Sequence, residues 1–147
     1  KKSGKFKEFH TYNATIERVE FAKAYKNLFM NRHCLIPVKG FYEWIYPNEV
    51  KKAQEAYFYP KKLDYLVLAG LWDSWKVTEL NSGINSCSVI TTPPRKEVEE
   101  AGHDRSPLIL ADESIGPWVL AKNKAQIDKA IWHPQACKLN FSSIKPD

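Results

Sequence analysis

The spacing of apolar residues changes at Asn31, dividing the chain into a helical-looking opening and a strand-rich remainder. Over 16–30, the apolar residues Val19, Phe21, Ala22, Tyr25, Leu28 and Phe29 recur closer to every 3.6 positions than every two, which predicts a helix. Asn13, just ahead of it, reads by default as an N-cap or turn residue. Beyond Asn31, short apolar or aromatic runs predict strands at Cys34–Val38, Phe41–Tyr46, Ala56–Tyr59, Tyr65–Trp72, Cys87–Thr91 and Pro107–Leu110. Gly40 and the turn-rich Asn81-Ser82-Gly83 separate strands, and Pro47–Glu55 reads as a polar loop. Proline at its start and glycine at its end make 93–102 a short helix. Residues 114–120 predict a helical turn or two, and 122–131 a final helix or loop. No internal repeat, low-complexity tract or linker breaks the series. The pattern therefore predicts one α+β domain over 1–147, with a curved, mostly antiparallel sheet or barrel-like core and peripheral helices.

Composition narrows the class. The chain has 147 residues, 44% of them hydrophobic and 13% aromatic, enough to bury a core. No apolar run approaches bilayer length and the opening does not read as a signal peptide, so no membrane partner is expected. Three cysteines (Cys34, Cys87 and Cys137) are too few and too odd a set for a disulfide framework, and a reducing, cytoplasmic setting fits them. The net charge of +5 and the pI near 9.0 suit a polyanionic partner without naming one. Much of that charge is lysine, including Lys1, Lys2, Lys5 and Lys7, which read as a solvated leader.

Three polar residues sit in surroundings that suggest chemistry. Glu43 lies between Phe41, Tyr42 and Trp44, and in a period-2 strand it shares a face with Phe41 and Ile45. If that face turns inward, burial raises the carboxyl pKa and makes it a usable general acid or base. If it turns outward, Glu43 is an ordinary solvated side chain, and this stretch alone leaves both open. His103 follows Gly102 at the mouth of a predicted strand, a common place for a functional side chain able to move a proton near neutrality. Its bland alternative is a capping or exposed loop histidine, as Asn13's is a cap. Cys34 and Cys87 read as strand-core residues, and neither a CxxC nor an HxxxH pair accompanies them or the His133–Cys137 spacing, so no metal is expected. The glycines form no phosphate loop, and no serine-hydrolase elbow is present.

Read together, the motifs resemble the SOS-response-associated peptidase family, also called abasic-site-processing proteins. The matching words run in order: Asn13-Ala14-x-x-Glu17, Arg32-His-Cys34-Leu-Ile-Pro37, Gly40-Phe-Tyr-Glu-Trp44 and Ala69-Gly-Leu-Trp-Asp73. They continue with Cys87-Ser-Val-Ile-Thr-Thr92 and His103-Asp-Arg-Ser-Pro-Leu-Ile-Leu110, ending at Trp118, and cover roughly residues 13 to 120. Each word is weak alone; six in the family's order are a strong signal.

The resemblance implies a DNA-damage enzyme that needs no cofactor. A mature N-terminal cysteine attacks the ring-opened aldehyde of an abasic deoxyribose in single-stranded DNA and closes a thiazolidine crosslink, after self-removal of the initiator methionine. It implies catalytic roles for Glu43 as acid/base, His103 as proton donor to the sugar, and Asn13 as the group positioning the nucleophile. It also implies a phosphate clamp at Arg105 and a smaller backbone contact at Thr92. Thr15 stands where the family usually has arginine and Arg18 where it usually has threonine, so one phosphate contact is lost or moved to Arg18. The chain opens Lys1-Lys2-Ser3 without a cysteine, so the expected domain lacks its first, nucleophile-bearing segment. Two other readings stay open: a divergent, non-covalent single-stranded DNA-binding module, and a peptidase acting on peptide bonds.

Overall fold

In a computed structural model, residues 11–46, 52–77, 82–131 and 137–144 are described. The leading lysines, most of the predicted 47–55 loop, Asn81 and His133 lie outside them. One curved sheet holds β1 (Asn13–Thr15), β6 (Ser82–Thr92), β5 (Leu66–Val77) and β2 (His33–Val38) in that order, with the short β7 (Ser106–Pro107) beside β6. A second sheet holds β3 (Phe41–Ile45), β4 (Gln54–Pro60) and β8 (Leu139–Ile144). Every pairing is antiparallel except β1 with β6. The helices α1 (Lys26–Phe29), α2 (Lys96–Glu100), α3 (Asp112–Leu120) and α4 (Lys124–Ile131) lie around them. The α+β class holds, with two sheets in place of a closed barrel.

The first sheet is apolar on both faces. One face packs Ala14, Ala69, Leu71 and Ile90 against Phe29 and Trp118 from the helical side. The other packs Leu66 and Leu68 against Ile45, Ala56 and Phe58 of the second sheet, with Val98 of α2 closing the cluster. β5 and β6 pair from Val77↔Ser82 as far as Gly70↔Val89 and then part. Residues 106–110 fill the gap. The Leu108 amide donates to the Ile90 carbonyl, the Ala69 amide to the Leu108 carbonyl, and the Leu110 amide to the Val67 carbonyl. Pro107 has no N–H to contribute, and only Ser106–Pro107 count as strand, with a single further bridge at Ile109, in place of the predicted four-residue strand.

Several expectations need correction. Residues 16–25 form successive turns, and the predicted 16–30 helix survives only as Lys26–Phe29. The reason lies in packing: Val19, Tyr25 and Phe29 are buried as the periodicity demands, but consecutive turns deliver them to the core while Phe21 stays exposed. Asn13 is therefore not a helix cap but the first residue of β1, paired with Val89. Gly83 belongs to β6 and not to a turn, and Gln54 and Glu55 open β4 and do not close a loop. Cys87 is exposed, not core, and Cys34 only half-buried. β8 was not expected.

Candidate functional site

The alternation of β3 resolves the ambiguity at Glu43. Phe41, Glu43 and Ile45 turn toward the first sheet, while Tyr42 and Trp44 are exposed. Glu43 thus sits at the inner edge of a packed strand, paired with buried Ala56. His103 arrives from the other side. Gly102, at φ 94°, ends α2 and lets its carbonyl accept the Tyr46 amide at 3.1 Å. That bond ties the residue before the histidine to the end of β3. The His103 amide donates to the Val98 carbonyl at 3.1 Å.

The result is a carboxylate–imidazole pair. Glu43 Oε2 and His103 Nε2 are 3.4 Å apart, with side-chain exposures of 25% and 21%. Desolvation pushes the Glu43 carboxyl above the usual carboxylate range; the His103 charge opposes the rise and Asp104 adds to it. His103 Nδ1 lies 2.9 Å from the Arg105 carbonyl oxygen and 3.2 Å from its amide nitrogen. In one tautomer Nδ1–H donates to that carbonyl, in the other Nδ1 accepts the amide proton. Either way Nε2 is aimed at Glu43. Two proton-holding groups that share a half-dry site can exchange a proton with a third group placed between them.

Arg105 lies two residues on. Its guanidinium donates to both Glu17 carboxylate oxygens, at 2.8 and 3.0 Å, and to the Thr91 carbonyl oxygen at 2.7 Å. Thr91 pairs with Thr15 across β6 and β1, so Arg105 spans the loop to the sheet edge. The Thr92 hydroxyl lies 3.0 Å from the Pro93 carbonyl oxygen and 3.5 Å from that of Ser106, beside the same loop. Arg18 is exposed in the turns after β1, its amide bonded to the Thr15 carbonyl at 3.0 Å.

Glu43 and His103 are in direct contact, the Arg105 backbone holds the imidazole, and the Arg105 side chain reaches on to Glu17 and Thr91. Asn13 is not in that contact: among the described residues its side chain makes no hydrogen bond to Glu43 or His103. It is exposed, on the same sheet face as Thr15 and opposite to the buried Ala14. Cys34 and Cys87 share that face by register, through Gly70 and Val89. Burial pushes the Cys34 thiol up to about 11, which keeps it protonated and weakly nucleophilic. The sequence reading missed Glu17 and Thr91 as the holders of Arg105. Glu17 is a fixed letter of the first motif word, but nothing local connects positions 17 and 105.

These residues can be set beside known proteins. A family model described as SOS response associated peptidase (SRAP) matches residues 1–147. Over 111 residues the chain is 32% identical to the abasic site processing protein YoqW of Bacillus subtilis (strain 168), covering 76% of this chain and 48% of that protein. It is 29% identical over 129 residues to the abasic site processing protein HMCES of Xenopus tropicalis, covering 76% of this chain and 38% of the relative. The chain thus spans about half the length, or less, of these curated relatives. A crystal structure of a Bacteroides thetaiotaomicron protein superposes with a TM-score of 0.77 at 22% identity, covering 90% of this chain and 58% of that one. One from Bordetella bronchiseptica gives 0.77 at 23% identity, covering 91% and 65%. Both likenesses are likenesses of fold.

Proposed function

The chain belongs to the SOS response associated peptidase family, and on that premise we propose that it processes abasic sites in DNA, capturing them in single strands as a covalent adduct. The observation that carries the reading is the Glu43–His103 pair, a desolvated carboxylate 3.4 Å from an imidazole at the junction of the two sheets. The printed names of YoqW and HMCES support the choice of lesion.

The nucleophile in this reading is an N-terminal cysteine of the whole protein. Cys34 cannot serve, because a residue inside a strand has no free amine and its thiol is held protonated. His103 gives a proton to the ring oxygen while the anomeric hydroxyl gives its own to water, and the abasic sugar opens to its aldehyde. Glu43 takes the proton that the terminal ammonium must lose before nitrogen attacks the aldehyde carbon. The carbinolamine then loses its hydroxyl as water, protonated by the acid member of the pair. The thiol adds across the resulting imine, its proton passing to nitrogen, and the thiazolidine closes with one water released overall. Asn13 lines the approach and orients the amine, and Arg105, Thr92 and Arg18 (taking the part of the absent arginine at Thr15) contact the DNA backbone. Self-removal of the initiator methionine uses the same acid–base pair. Reaction at an abasic site spares part of the unstacking cost, since no base remains there.

The test is adduct formation by the full-length protein with a single-stranded abasic oligonucleotide, read as a heat-stable slower-migrating band. Glu43→Gln and His103→Ala are each expected to slow the band's appearance by about a hundredfold or more. A wild-type protein that forms no band, or variants that form it at the wild-type rate, would sink the reading. Turnover of unrelated peptides in place of adduct formation would favour a peptidase.

A further inference from the structure

Arg105 is held in a form that a backbone phosphate cannot enter without displacing a neighbour. Nη1 and Nη2 each donate to one oxygen of the Glu17 carboxylate, and Nη2 donates again to the Thr91 carbonyl, which also accepts the Ile16 amide at 2.9 Å. The edge between the two terminal nitrogens is one that grips phosphate in bidentate fashion. A carboxylate and a phosphodiester offer the same pair of oxygens to it, so they compete for one seat. The two partners of Arg105 differ in how they are fixed. Thr91 is a buried residue of a central strand, whereas the Glu17 side chain, in the turns after β1, is 46% exposed. Glu17 can swing into solvent without unpacking anything, while Thr91 keeps the guanidinium in place.

We propose that Glu17 is an internal stand-in for a nucleic-acid phosphate: it fills the Arg105 seat in the free protein and is displaced when a phosphodiester of the bound strand arrives. This rests on the reading that Arg105 contacts the DNA backbone, and it goes further by assigning Glu17 the part of an affinity-setting residue. The carboxylate keeps the fork oriented before binding, and it must be expelled on binding. The cost is moderate, because an ion pair this exposed contributes little, so its loss should tighten binding roughly two- to fivefold.

The experiment measures binding of the full-length protein to an intact single-stranded oligonucleotide, without an abasic site, by fluorescence anisotropy over a range of salt. Glu17→Gln is expected to bind roughly two- to fivefold tighter than wild type. Arg105→Ala should bind more weakly, with the slope of log K against log salt shallower by about 0.7. The gain from Glu17→Gln should vanish when Arg105→Ala is already present. Glu17→Asp keeps the charge but shortens the reach; it should shift affinity in the same direction and serves if the glutamine variant does not fold. A gain that persists in the Arg105→Ala background would mean simple charge repulsion and overturn the proposal. So would weaker or unchanged binding by Glu17→Gln while Arg105→Ala still loses affinity, leaving Glu17 a mere tether and the backbone contact intact. If Arg105→Ala binds as tightly as wild type, the contact itself is wrong and the proposal falls with it.

Discussion

At the scale of single residues, burial decides what an ionisable group does, and His33 shows this away from the site. It lies under Trp118, with ring centroids 4.3 Å apart, and its Nε2 is 2.7 Å from the Phe29 carbonyl oxygen, to which it donates. Desolvation holds its pKa below the ordinary 6.5, opposed by the Phe29 bond and assisted by the Lys122 charge. A base depressed in the fold is neutral there, while the unfolded chain binds a proton below about pH 6.5. Its contribution to stability is therefore present above that pH and lost as pH falls through the folded value. Chemical denaturation is expected to show a midpoint that drops between pH 7.5 and 5.5, and His33→Gln should flatten that part of the profile. A midpoint equally pH-dependent in both proteins would assign the effect to other groups. Glu43 is displaced by the same force in the opposite sense, its carboxyl raised, and there the displacement bears on the proposed chemistry.

At the scale of elements, the α2-to-β7 connection sets the candidate site. Gly102 adopts φ 94°, and a Cβ there would lie 2.4 Å from the Tyr46 carbonyl oxygen and 2.8 Å from its carbon. Both atoms are backbone and cannot step aside cheaply. Gly102→Ala is expected to cost about 1–3 kcal/mol of stability. It should also reduce adduct formation more than its stability loss explains, because it moves His103 off Glu43. Thermal melting together with adduct rate checks both; an alanine variant with wild-type rate would show that the β3–α2 tie does not position the histidine. The Glu43 side of the pair was legible in the sequence, since the alternation Phe41-Glu43-Ile45 allowed an inward carboxylate and the fold took it up. The His103 side was not: only the packing of α2 against the second sheet brings a residue 60 positions later to within 3.4 Å.

At the scale of the whole molecule, the positive balance of +5 becomes useful only where the fold gathers donors near one edge. Arg105 and the exposed Arg18 both stand at the β1 end of the first sheet. Under the proposed reading these groups contact phosphate and not base, so two single-stranded oligonucleotides of equal length and different sequence should bind within about twofold of each other, both weakening as salt rises. A strong preference for one base composition, insensitive to salt, would point to base-edge recognition instead. No described helix is long and apolar enough to cross a membrane.

The order of the motif words, the α+β class, six of the eight strands among the described residues (β7 in shortened form) and the inward option for Glu43 followed from the sequence alone, because alternation, aromatic runs and glycine or proline punctuation are local properties. The opening segment shows where that ends. Its periodicity identified Val19, Tyr25 and Phe29 as buried, but turns satisfy the same burial as a helix, and propensity is too weak a term to choose between them once the sheet supplies the partner surface. β1 pairs with a strand about 75 residues away and β8 with one about 85 away, neither carrying a strong pattern of its own, so both exist through their partners. The Glu17–Arg105 lock and the Glu43–His103 pair likewise join residues that no spacing rule connects. The chain encodes which groups are available; only the tertiary structure brings them within reach of one another, because Coulomb and hydrogen-bond energies act over ångströms and not over sequence distance.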